Sequence, residues 1–218
     1  MKHLKHLVAL AALVLSGLTA HAGAYDDFFH ALRIDNAAGV RQWLLRGFDP
    51  NTVYEDGTPA LIKALQLQSY AAAQEIANHP DAHIDARNAQ DETALMLAAL
   101  RGQQALVISL VSKGAEVNKD GWTPMHYAAT GGHTRICAFL LGARAEVDSP
   151  GPNGTTPLMM AAMYGNAETV RFLLESGADV HAHNSNGLSP EDFALRASRP
   201  DSLLMIRTVL ERRKAQSQ

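Results

Sequence analysis

The sequence predicts an all-α chain: a solenoid of stacked helix–turn–helix units joined by short hairpin loops. Three observations carry that prediction. A hydroxyl residue followed by proline or alanine recurs at Thr58, Thr93, Thr123, Thr156 and Ser189, with successive anchors 35, 30, 33 and 33 positions apart, and a period near 33 residues marks a repeat architecture. Behind three of these anchors stand Ala98-Ala99, Ala128-Ala129 and Ala161-Ala162, pairs small enough to let a second helix approach closely. A leucine-rich stretch then ends at glycine, as in Phe172-Leu173-Leu174 before Gly177. Such units bury their apolar faces only against their neighbours, so the product is an extended binding surface.

The elements follow in chain order. Lys2 and Lys5 precede an apolar run from Leu7 to Leu18, and Ala20-His21-Ala22 supplies a small-x-small site; residues 1–22 are therefore expected to be a Sec-type signal peptide, cut after Ala22 or Ala24. The run is a dozen residues, shorter than the ~20 a bilayer span needs. The expected mature domain, 23–218, would then work outside the cytoplasm, in the periplasm of a Gram-negative cell or secreted otherwise, with no membrane attachment.

Without Lys2 and Lys5, 17 basic residues remain against 22 acidic ones, a net charge of −5. That balance argues against a nucleic-acid partner. The basic cluster Arg207, Arg212, Arg213 and Lys214 reads as the solvated last turn of a helix, where cations favour the dipole. One cysteine, Cys137, cannot form an internal disulfide, so packing alone must hold the chain.

Residues 25–55 read as a degenerate first unit: Phe28-Phe29, Val40, Trp43, Leu44 and Leu45 are apolar, and Gly47-Phe48-Asp49-Pro50-Asn51 closes it without a Thr-Pro start. The unit from Gly154 to Asn184 is the clearest. Thr156 caps free N–H groups and Pro157 takes the first helical position, where its missing donor costs nothing. Gly165-Asn166 turns the chain, a second helix runs from about Ala167 to Ser176, and Gly177 ends it in the left-handed region. Val180 leads into an extended turn that closes at Asn186-Gly187. Residues 187–214 form a last unit whose outer face carries Arg199, Asp201, Arg207 and Glu211. Six units are expected in all, the two caps included.

These phrases resemble the ankyrin repeat, whose pattern is Gly-x-Thr-Pro-Leu-His, Ala-Ala, Gly-His, a leucine-rich helix and Gly-Ala-Asp-Val-Asn. They appear as Gly121-Trp122-Thr123-Pro124-Met125-His126 with Ala128-Ala129 and Gly132-His133, and as Gly154-Thr155-Thr156-Pro157-Leu158-Met159 with Ala161-Ala162. The closing phrase is Gly114-Ala115-Glu116-Val117-Asn118 in one unit and Gly177-Ala178-Asp179-Val180-His181 in another. The departures matter too. From Val117 to Thr123 the connection is three residues short of the family length, and around His79-Pro80-Asp81-Ala82-His83 it is two residues long. Arg144 stands where the family ends its helix on glycine, so a left-handed arginine is expected there.

The resemblance implies a non-catalytic protein-binding module, with hairpin tips and the exposed edge of each first helix as the contact surface on a concave face. In this sequence those positions are Glu92, Leu100 and Arg101, then Lys119, Asp120, Trp122 and Thr130, then Thr155, Met163 and Tyr164. Trp122, with Met163 and Tyr164 one unit along, would make an apolar groove; the alternative is that its indole folds back over the shortened hairpin. The partner would be another protein. A role beside catalase in oxidative-stress protection, or as an immunity-type inhibitor of a toxin, is also compatible with the resemblance.

Candidate chemistry is sparse. His181 and His183 alternate along an extended segment and point the same way, but two ligands are too few for a metal site. By resemblance His126 and His133 tie turns together through hydrogen bonds. Cys137, among Ile136, Phe139 and Leu140, is expected to be a buried, inert thiol. No spacing of nucleophile and base and no phosphate loop stands out, so neither catalysis nor a cofactor is expected.

Overall fold

A computed structural model describes residues 23–216; the expected signal peptide lies outside them. The described residues form two compact bodies, one ending at His83 and the other beginning at Ile84. Among the described residues the regular elements are helices, and the extended pairing is limited to isolated bridges from Val53 to Pro59 and from Arg87 to Thr93.

The first body holds α1 (23–33), α2 (Ala37–Leu45), α3 (Ala60–Gln66) and α4 (Tyr70–Asn78). Phe28, Phe29 and Leu32 are fully buried, and Phe28 stacks on Phe48 with ring centroids 4.4 Å apart. Aromatic area of this kind gives the first unit an apolar core, because two large rings bury as much surface as several aliphatic side chains. Arg41 on α2 reaches Glu75 on α4 through two bonds, 2.7 and 2.6 Å. Thr58 does not cap α3: the helix begins after Pro59 with no side-chain cap, and the Thr58 N–H is taken by Asp56 Oδ1 at 2.9 Å.

The second body holds α5 (Ala94–Leu100), α6 (Gln104–Ser112), α7 (Pro124–Thr130), α8 (Thr134–Gly142), α9 (Pro157–Met163), α10 (Ala167–Glu175), α11 (Pro190–Arg196) and α12 (Pro200–Gln216). The short helices α5, α7, α9 and α11 pack side by side in one row, and α6, α8, α10 and α12 in a second. The alanine pairs lie between the rows at zero exposure, as close approach of two backbones requires.

Each first helix of the second body starts with a reciprocal cap. Thr93 Oγ1 accepts from Met96 N, and Met96 Sδ accepts from Thr93 N. Thr156 and Met159 repeat the arrangement, and Ser189 with Asp192 does so with oxygen. Four backbone donors are left unpaired at any helix start, and this device satisfies two of them locally.

Second-helix exits use the left-handed region. Gly114 and Gly177 have φ 91° and 95°, and Arg144 adopts φ 68° at the matching point, as expected from sequence. Ala115, Ala145 and Ala178 then donate back to Leu110, Leu140 and Leu173, closing the Schellman pattern. The exit of α4 differs: His79 is extended at φ −66°, ψ 135°, because proline at the next position disfavours the helical region. This is the site of the two extra residues.

A ladder of side chains links successive hairpins within each body. In the second, Asp85 accepts from Glu116 N, Asn118 from Glu146 N, and Asp148 from Asp179 N, all at 3.0 Å. Asn118 also donates from Nδ2 to the Arg144 carbonyl at 2.8 Å. In the first, Asn51 makes the same two bonds, to His83 N and the Asp81 carbonyl.

Candidate functional site

All ten predicted contact residues fall in the second body, but the structure divides them into an accessible set and a bonded set. Leu100, Thr130 and Met163 each lie seven positions after a threonine anchor and are half-buried, on the row formed by α5, α7 and α9. Arg101 and Asp120 are exposed, and Tyr164 is 53% exposed at the end of α9. Thr130 also donates from Oγ1 to the His126 carbonyl at 2.8 Å.

Four of the expected contacts are committed to the protein itself. Thr155 is 2% exposed; its hydroxyl accepts from Asn184 Nδ2 at 3.3 Å, and its carbonyl accepts from Gly151 N at 2.8 Å and from His126 Nε2 at 2.9 Å. It joins adjacent hairpins and is closed to a partner. The Lys119 side chain is only 2% exposed, with Nζ donating to Asp91 Oδ2 at 2.6 Å and to the carbonyls of Asp120 and Trp122. These contacts hold the Asp91 carboxyl below its usual range, Lys119 first and Arg87 second. Glu92 spends its carboxylate on Tyr127 Oη and Asn88 Nδ2, at 2.9 and 2.8 Å.

Trp122 does not protrude. Its half-buried indole meets the His126 ring edge-on, with centroids 5.1 Å apart at 88°. It also lies against the following hairpin, where a Cβ built on Gly151 would stand 3.0 Å from the ring; only a residue without a side chain lets the indole rest on that backbone. The Trp122 indole is therefore turned to its own and the following hairpin.

His126 and His133 do tie turns together. His126 is wholly buried, and Nδ1 receives the Thr123 N–H at 3.2 Å and the Thr123 hydroxyl at 2.9 Å. That geometry assigns the ring proton to Nε2, which donates to the Thr155 carbonyl. Burial lowers its pKa from 6.5 to about 4, against the raising effect of hydrogen bonds to the Thr155 and Ser149 backbone. His133 Nε2 lies 3.0 Å from the Leu100 carbonyl. Cys137 is fully buried on α8, and its thiol is pushed up to about 12 by desolvation, so the thiolate is scarce at neutral pH. No cluster of three or more His, Cys, Asp or Glu is placed to hold a metal among the described residues.

Sequence reading missed Tyr127 and Met160. Both are half-buried on the first-helix row, at the position Leu97 holds in the preceding repeat, one before an alanine pair. That position was itself the available signal, since it breaks the otherwise small, buried run. Reading also missed a cleft of about 500 Å³ where the connection is short, lined by Arg87, Glu116, Lys119, Asp120, Glu146 and Pro150 among others.

The family model for ankyrin repeats in three copies matches residues 28–120, 116–184 and 143–207. The chain belongs to the ankyrin repeat family. Ankyrin repeats are generally protein–protein interaction modules and are typically non-catalytic. This chain is 36% identical over 102 residues to Ankyrin repeat and SAM domain-containing protein 6 of Rattus norvegicus, covering 45% of this chain and 12% of that protein. It is 43% identical over 68 residues to Inactive serine/threonine-protein kinase TEX14 of Bos taurus, 30% of this chain and 5% of that protein. It is 40% identical over 55 residues to Notch-regulated ankyrin repeat-containing protein of Homo sapiens, 24% and 48%. The chain thus spans a small part of the first two relatives and less than half of the third, and what it shares with them is the repeat itself.

Proposed function

We propose that this ankyrin-repeat protein is a non-catalytic adaptor that grips a partner protein through the first-helix face of α5, α7 and α9, in the periplasm after export. The observation that carries the reading is Tyr164, 53% exposed beside the half-exposed Met160 and Met163, the latter in line with Leu100 and Thr130. An aromatic ring with adaptable thioethers around it is the composition that dominates binding energy at interfaces. Export is supported by the basic start, apolar run and small-x-small site of residues 1–22. Among the described residues no helix is long and apolar enough to cross a membrane.

The test is crosslinking in the intact cell envelope followed by mass spectrometry, comparing the native chain with a Tyr164→Ala, Leu100→Ala double variant. Truncating interface anchors costs about 2 kcal/mol or more each, so partner crosslinks should fall by well over tenfold while circular dichroism stays native. Crosslinks that survive the double change would remove this face from the interface. Absence of the protein from the fraction released by osmotic shock would refute the periplasmic assignment.

A further inference from the structure

The shortened connection makes a second recognition element. Val117 and Thr123 are six positions apart, whereas Ile84 to Thr93 and Val147 to Thr156 each span nine. Three residues are therefore missing from the middle of three consecutive hairpins. The flanking hairpins keep their length, and the space left is the cleft of about 500 Å³, with Arg87 on one wall, Glu146, Ser149 and Pro150 on the other, and Lys119, Asp120 and Gly121 as its floor. Clefts of roughly 300–1,000 Å³ accommodate drug-sized groups.

Its charges do not cancel. Arg87 is matched by Asp91 at 3.0 Å and by Glu116 at 3.4 Å. Lys119 is matched by the same Asp91 at 2.6 Å. Those contacts satisfy both cations of the lining. Asp120 and Glu146 are exposed and make no ion pair with any described residue. Two carboxylates from different hairpins therefore face an open space that a straight, positively charged side chain would enter, and the cations already there are too well compensated to repel it. The floor is also firm. Lys119 Nζ ties the connection to Asp91 and to the Trp122 carbonyl, so the cleft needs little ordering on binding, which limits the entropic cost of occupation.

We propose that this notch seats one arginine side chain carried on a protruding loop of the partner protein, its guanidinium held by Asp120 and Glu146. Arginine suits it better than lysine because its planar fork can serve two carboxylates at once. The inference rests on the adaptor reading above and specifies the chemistry of the partner at a second point, beyond the first-helix row.

The probe is a cyclic hexapeptide of glycine and serine carrying one arginine, compared with the same ring carrying citrulline or glutamate, titrated into the isotope-labelled protein at low ionic strength. Amide signals of Asp120, Gly121, Glu146 and Ser149 should shift saturably with the arginine ring. Citrulline, which keeps the shape and loses the charge, should bind about fivefold more weakly, as expected for two partly solvated ion pairs. An Asp120→Asn, Glu146→Gln variant should lose the same factor, and its own spectrum reports that it is folded. Equal binding of arginine and citrulline, unchanged binding in the variant, no shifts at all, or a preference for glutamate would each overturn the proposal. The outcome is separable from the adaptor reading. Envelope crosslinks that vanish in the Tyr164→Ala, Leu100→Ala variant while the peptide fails sink the notch alone; a saturable arginine shift with no crosslinked partner sinks the adaptor alone.

Discussion

Replacing His126 by methionine should invert the order of stability between neutral and acidic pH. The ring is fully buried and neutral, and its folded pKa lies near 4 against 6.5 when unfolded. Because the folded value is the lower one, the unfolded chain binds the proton first. Stability from this group is complete above pH 6.5 and is lost as pH falls toward 4. At about 1.4 kcal/mol per pKa unit, the loss is roughly 2 kcal/mol by pH 5 and approaches about 3 kcal/mol near pH 4. Methionine is the natural control, because Met96 and Met159 fill the same slot in neighbouring repeats and return a sulfur to the threonine N–H. The variant keeps that bond and loses the single Nε2–H donor, which serves the Thr155 carbonyl at 2.9 Å and also interacts with the Ser149 backbone; the Thr155 carbonyl still accepts from Gly151. One lost hydrogen bond costs about 1 kcal/mol. His126→Met should therefore be less stable by about 1 kcal/mol at pH 7, and more stable by a similar amount at pH 5 once the roughly 2 kcal/mol titration penalty is gone. Urea unfolding followed by circular dichroism at pH 7, 6 and 5 measures this, and the difference between the two proteins cancels every other titrating group. Parallel stability curves across that range would refute the buried neutral ring.

Two further substitutions test the inter-repeat frame. Arg144→Gly removes a left-handed arginine, exposed and without a described side-chain partner, at a point where Gly114 and Gly177 serve the sister repeats. Relief of about 1–2 kcal/mol of strain, offset by roughly 0.4–1 kcal/mol of added unfolded-state entropy, leaves a gain of up to about 1 kcal/mol. A melting temperature raised by about 2–4 °C is expected, and an unchanged or lower one would count against strain at this position. Asp148→Asn should also stabilise, by about 1 kcal/mol, since burial and Asp179 raise the Asp148 pKa while the Asp179 backbone bond opposes them. Asparagine at the equivalent positions 51 and 118 makes both ladder bonds. The gain should shrink as pH is lowered and Asp148 takes up its proton; a urea titration showing no gain at pH 7 would refute the assignment.

The starts and stops of the helices were legible in the chain because they obey short-range rules. Thr156 with Met159, Ser189 with Asp192, and Gly177 after Leu174 meet across three positions or fewer, and even the anomalous Arg144 could be placed by its offset from Gly114 and Gly177. Thr58 is the exception, since Asp56 intercepts its N–H. What could not be read was which polar side chains face solvent. Lys119 is bonded to Asp91, 28 positions earlier, and Thr155 to His126, 29 positions earlier. Repeat spacing assigns both to the outer edge, yet neighbouring hairpins consume them.

From its residues alone this chain determined its ankyrin frame, because caps, left-handed exits and alanine pairs act within a turn or two of themselves. Only the tertiary structure decided which parts of that frame remain open: Tyr164 and the notch beside Asp120 are available, while Trp122 and Thr155 are not. The physical reason is that exposure belongs to three-dimensional neighbours about thirty residues apart, and a side chain's identity says nothing of whether such a neighbour will cover it.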